Sequence, residues 1–81
     1  MNNIQYLWGK EIEPYGQYNR VVVYYAKNGR DQQAVYMDYG QQGKPSYKII
    51  EDNAVSGNRL NNKESEEIGE MLNNKEIIIS K

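Results

Sequence analysis

Between Tyr18 and Tyr39 the chain reads YNRVVVYYAKNGRDQQAVYMDY, and over 21–26 and 34–37 apolar or aromatic residues stand at consecutive positions. A strand with one solvated face would alternate apolar and polar side chains, so this run predicts two strands whose faces are both apolar. Asn28-Gly29 lies between them, and Asn-Gly is the pair that best tolerates positive φ at both central positions of a type I′ turn. A two-residue loop there sets Lys27 opposite Arg30 and fixes every pair behind it. One face then holds Val21 with Tyr36, Val23 with Ala34 and Tyr25 with Gln32. The other holds Tyr18 with Tyr39, Arg20 with Met37, Val22 with Val35 and Tyr24 with Gln33.

SYKIIED, residues 46–52, predicts a further strand after a connection punctuated by Gly40, Gly43 and Pro45. EIIIS, 76–80, predicts a short edge strand, and IQYLW, 4–8, another strand that Pro14 and Gly16 separate from the hairpin. Asn61 followed by Glu64 has the form of a capping box, and Ile68, Met71 and Leu72 make one apolar stripe at helical spacing. A helix over about 62–73 follows. Gly69 weakens it by roughly 1 kcal/mol relative to alanine, and Asn73-Asn74 offers a left-handed exit. Residues 52–61 read as an irregular loop. The sum is a single α+β domain over 1–81, with three to five mostly antiparallel strands, a central hairpin and one C-terminal helix.

A three-residue stripe covers one face of such a sheet and little more. Val22, Tyr24, Val35, Met37 and Tyr39 on the other face would present on the order of 500 Å² of largely apolar surface, whose burial is worth about 10 kcal/mol before entropy is subtracted. Three covers are conceivable: the segment with Ile4, Tyr6, Leu7 and Trp8 folding across, a second copy of the chain, or a different protein. A homodimer is therefore expected.

Composition narrows the chemistry. The 81 residues contain sixteen isoleucine, leucine and valine residues, no phenylalanine, eight tyrosines and one tryptophan, so most of the aromatic surface carries a polar handle. Histidine and cysteine are both absent. That removes the commonest general base, the commonest metal ligand and the thiolate nucleophile, and no catalysis, cofactor or metal is expected. Ten basic against eleven acidic residues leave a formal net charge of -1, which gives no overall attraction to nucleic acid or anionic membrane. The absence of a leader-like or membrane-spanning stretch predicts a cytoplasmic protein. Small size and an asparagine- and lysine-rich composition associate it with phage or mobile elements.

The candidate site follows from the pairing. Tyr15-Gly16-Gln17-Tyr18 enters the hairpin and Tyr39-Gly40-Gln41-Gln42-Gly43 leaves it, so both loops lie opposite the Asn28-Gly29 turn. Tyrosine, glycine and amide side chains on adjacent loops share the chemistry of antibody paratopes. Tyr15, Tyr18, Arg20, Tyr39, Gln41 and Gln42 are the predicted binding residues, although Tyr18 with Tyr39 also makes an ordinary stabilising cross-strand pair. A nucleic-acid surface built from Tyr24, Tyr36, Arg20, Lys27, Arg30 and Lys48 is disfavoured. Tyr24 and Tyr36 fall on opposite faces, and Lys27 with Arg30 reads as a solvated hairpin tip. Glutamates 64, 66 and 67 in the helix's first turns suit the positive end of its dipole, and would already occupy any phosphate cradle formed with Ser56-Gly57-Asn58-Arg59. The expected function is a non-catalytic module recognising another protein, of inhibitor or adaptor type. The alternatives are a homodimer binding a small molecule or nucleotide in a tyrosine-lined pocket, and a weak nucleic-acid binder.

Overall fold

Two tight turns fold the first half of the chain into a meander. The computed structural model describes residues 4–41, 43–55 and 57–81. Strand β1 (Ile4–Tyr15) turns through Gly16-Gln17 into β2 (Tyr18–Lys27), which turns through Asn28-Gly29 into β3 (Arg30–Asp38). Asn28 and Gly29 have φ of 53° and 78°, as a type I′ turn requires, and the register behind them runs from Lys27↔Arg30 to Asn19↔Asp38 as counted. β4 (Tyr47–Asp52) pairs antiparallel with β3, and β5 (Ile79–Ser80) pairs parallel with β1 at Gly9 and Lys10. The sheet order is β4-β3-β2-β1-β5, with the helix α1 (Asn62–Asn73) packed on one side against β4. The protein is thus a small α+β fold, its sheet antiparallel except at β5.

Three expectations change. Pro14 does not end the first strand. It sits inside β1 where the register slips between Ile12 and Tyr15, a β-bulge, and proline is tolerated there because no ladder N–H is needed. The N-terminal segment consequently adds a strand beside β2 and does not fold across the second face. The 76–80 strand contracts to two residues, because Ile77 turns into the core, only 3% exposed. The left-handed residue after α1 is Lys75, with φ of 59°, not Asn73 or Asn74. The Asn73 side chain instead accepts a hydrogen bond from the Tyr47 N–H at 2.8 Å, tying the helix end to the start of β4.

The core lies between helix and sheet. Val21, Val23 and Tyr25 from β2, Ala34 and Tyr36 from β3, and Ile68 and Leu72 from α1 form it, with Ile4 and Ile77 closing its flank. Gly69 lets the helix approach: a Cβ there would lie 2.9 Å from the Tyr47 carbonyl oxygen. Gly69→Ala is therefore expected to destabilise the fold by about 1 to 2 kcal/mol in urea titration, against the sign of helix propensity, because overpacking against backbone outweighs the propensity gain.

The N-terminal cap forms as expected. The Asn61 side chain accepts from the Glu64 N–H at 2.8 Å and the Glu64 carboxylate accepts from the Asn61 N–H at 2.9 Å. The same carboxylate takes the Lys27 ammonium at 2.8 Å, and these two side chains are only 17% and 12% exposed. The hairpin tip is thus not solvated at Lys27; it is clamped to the helix start. Lys27 also donates to the Arg59 carbonyl, and Asn58 donates to the Lys27 carbonyl and to Gln32 Oε1. Burial raises the Glu64 carboxyl, but the hydrogen bonds from Lys27 and Asn61 and the Lys27 charge outweigh it and hold its pKa below the usual 4.5. A depressed carboxylate stabilises the fold fully above its unfolded pKa and loses that contribution as pH falls through the folded value. The stability difference between the wild type and Glu64→Gln should therefore be largest near neutrality and shrink below about pH 4.5, read from urea midpoints across pH.

Candidate recognition face

Every second residue of the meander points away from the helix, and register stacks these residues in rows across the sheet. Gln5, Ala26 and Asp31 form the row nearest the Asn28-Gly29 end, and Trp8, Tyr24 and Gln33 lie behind it. Lys10, Val22, Val35 and Glu51 form the next, followed by Ile12, Arg20, Met37 and Lys48. Tyr15, Tyr18 and Tyr39 close the far end. No described segment lies over this face.

Two aromatic pairs bound it. Trp8 and Tyr24 stack with ring centroids 4.4 Å apart and planes 18° apart, and Tyr18 with Tyr39 sits at 5.0 Å with rings tilted by 54°. Counting about 3.3 Å per residue from Tyr24 to Tyr18 puts roughly 20 Å between the pairs. Trp8, Tyr39 and Tyr15 are 45%, 44% and 68% exposed, whereas Val22 and Met37 between them are each only 7% exposed. Their cross-strand neighbours are long charged side chains, Lys10 beside Val22 and Arg20 and Lys48 beside Met37, whose stems suit apolar surface. The second face is therefore not the bare apolar patch the sequence suggests. It is a shielded aliphatic centre between exposed aromatic ends.

The structure brings together Tyr15, Tyr18, Arg20 and Tyr39 of the predicted site, all on this face. Arg20 is half-buried opposite Ile12 and Met37, and its Nε donates to the Glu13 carbonyl at 2.9 Å. Gln41 stands apart. It bridges to Lys44 and lines a hollow of about 320 Å³ with Asn19 and Asp38, which belong to the helix side of the sheet. That loop is closed on itself, since Asp38 Oδ1 accepts from the Gly40 and Ser46 N–H groups at 2.8 Å each. Gln42 lies outside the described residues, as does Ser56. Hairpin pairing placed Tyr24 on this face but left Trp8, Lys10, Ile12 and Lys48 unplaced.

On the other side of the sheet the tyrosines are internal. Tyr36 is fully buried and its hydroxyl donates to the Ser65 carbonyl at 2.8 Å. Burial, then the Asp52 hydrogen bond and charge, push the Tyr25 phenol far above its ordinary value of 10.0, and burial does the same at Tyr36 and, with the Asp38 and Glu11 charges, raises Tyr47. The Tyr25 and Tyr36 phenols stay neutral donors. Among the described residues no group of three or more acidic, histidine or cysteine side chains is placed to hold a metal ion, and no helix is long and apolar enough to cross a membrane. No family model matches the chain, and comparison with curated proteins and with solved structures finds no significant match to either.

Proposed function

We propose that the protein is a non-catalytic recognition module that binds another protein through the open sheet face, as an inhibitor or adaptor does. The observation that carries this reading is the composition of the face. One tryptophan, four tyrosines, an arginine and a methionine share it, and these residue types are the ones enriched in protein interfaces. Rigid aromatic pairs supply contact area with little entropy to lose, and Arg20 is already held by Glu13. A cytoplasmic setting and a phage or mobile-element origin belong to the same proposal and rest on composition.

A photo-crosslinking residue at Gln33, exposed in the row of Trp8 and Tyr24, tests it against the same residue at Glu66, exposed on the helix. In the cells that make the protein, irradiation should give a discrete heavier adduct from position 33 and none from 66. A product of twice the chain mass would identify the occupant as a second copy. Absence of any adduct from 33, or equal adducts from both positions, overturns the reading.

A further inference from the structure

The open face is unevenly charged at its centre. Arg20 and Lys48 are the two cross-strand neighbours of Met37, and Lys10 lies opposite Val22, two residues along β2 from Arg20. With strands about 4.8 Å apart, the three cations arise from backbone positions within roughly 15 Å of one another. Lys10 and Lys48 are exposed, and the one ion pair among the described residues, Lys27 with Glu64, is on the other side of the sheet. The Arg20 Nε bond to Glu13 fixes the guanidinium while its terminal N–H groups remain for a planar acceptor. Of the carboxylates on the face, Asp31 stands in the end row with Ala26 and Glu51 stands on the edge strand β4 in the row of Lys10, so the two central rows hold three cations and one anion.

We infer that the partner presents carboxylates around an apolar or aromatic anchor, that is, an acidic protein segment seated between the two aromatic pairs. This rests on the recognition reading and names the chemistry it takes. Carboxylates would meet Lys10, Arg20 and Lys48, and the anchor would lie on Ile12 and the rims of Trp8 and Tyr39. Two other occupants fit less well. The rings of each aromatic pair are packed on each other, so nucleobases have no slot between them. A second copy face to face would set three cations against three, with two carboxylates on each side to offset them.

The test uses the full chain, labelled with ¹⁵N, and two short peptides that share one leucine and one tryptophan and differ only in carrying glutamate or lysine at their polar positions. The glutamate peptide should move the amide signals of Lys10, Arg20, Val22, Met37 and Lys48, and its affinity should fall about tenfold between roughly 50 and 200 mM NaCl. The lysine peptide should leave those signals in place. Lys10→Glu with Lys48→Glu should reverse the preference while the melting temperature holds, since both side chains are exposed. Equal binding of the two peptides, no response to either, or binding indifferent to salt overturns the inference. Tighter binding of a short oligothymidylate than of the glutamate peptide overturns it in favour of single-stranded nucleic acid, and a doubled mass by light scattering overturns it in favour of a second copy. If adducts still form from position 33, recognition stands with a partner of other chemistry; if they fail too, both readings fall.

Discussion

Asp52→Ala should lower the stability of the fold by about 3 kcal/mol, more than any other single carboxylate change. Asp52 closes β4, and its two oxygens accept three hydrogen bonds: from the Tyr25 hydroxyl at 2.9 Å, the Ala54 N–H at 3.0 Å and the Leu60 N–H at 2.8 Å. Tyr25 is only 2% exposed, so its hydroxyl has little access to water once the acceptor is gone. Each donor bonded to a charged acceptor is worth about 1 kcal/mol or more, and leaving it buried and unpaired costs at least as much. The two N–H groups also pin both ends of the 53–60 segment, whose Asn58 locks the hairpin tip, so the loss extends beyond the three bonds. Urea titration should show a lower midpoint with an unchanged slope. Asp52→Asn keeps an acceptor and should recover part of the loss. A second readout is the Tyr25 phenol: without the neighbouring hydrogen bond and charge it should titrate lower than in the wild type, while burial still holds it above 10.0. A loss under about 1 kcal/mol would mean that Asn58 alone holds the segment.

Much of this fold is legible because a few residues speak with one meaning. Asn28-Gly29 fixes a register that propagates through nine pairs, and Asn61 with Glu64 marks the helix start. Strand β1 is harder for a definite reason. Counting from the Gly16-Gln17 turn, where Tyr15 meets Tyr18, an unbroken strand would set Trp8 against Tyr25 on the helix side. The bulge holding Pro14 slips the register by one and sets Trp8 against Tyr24 on the open face. A second slip between Gln5 and Trp8 returns Ile4 to the core. Nothing in IQYLW announces either slip. Tyr18 with Tyr39 was therefore readable from hairpin arithmetic, whereas Trp8 with Tyr24 required the bulge. The signal that could have found it was Pro14 itself, since a proline within an extended run points to an edge or a bulge. The shielding of Val22 and Met37 was unreadable for a related reason. Their cross-strand neighbours Lys10 and Lys48 stand on β1 and β4, whose register the hairpin does not determine.

That same slip makes the face testable at both ends. Trp8→Ala should weaken binding of the crosslinked partner by about 2 kcal/mol, near thirtyfold, and Tyr39→Ala by more than about 1 kcal/mol. Tryptophan leads because it combines the largest area with a fixed orientation, set by its stack on Tyr24, and because truncation also frees the Tyr24 ring to move. Folding should suffer less than binding in both variants. Trp8 and Tyr39 are 45% and 44% exposed, and each contributes one cross-strand aromatic contact worth about 1 kcal/mol or less. The pairs stand roughly 20 Å apart, so a partner touching only one end would respond to one substitution and ignore the other. Losses at both ends, summing in the double variant, would place the partner along the whole length of β2 and across the three cations between them. Full-strength binding by both would remove the open face from consideration, since no ligand could then lie on the aromatic surface that sets this face apart from the rest of the sheet.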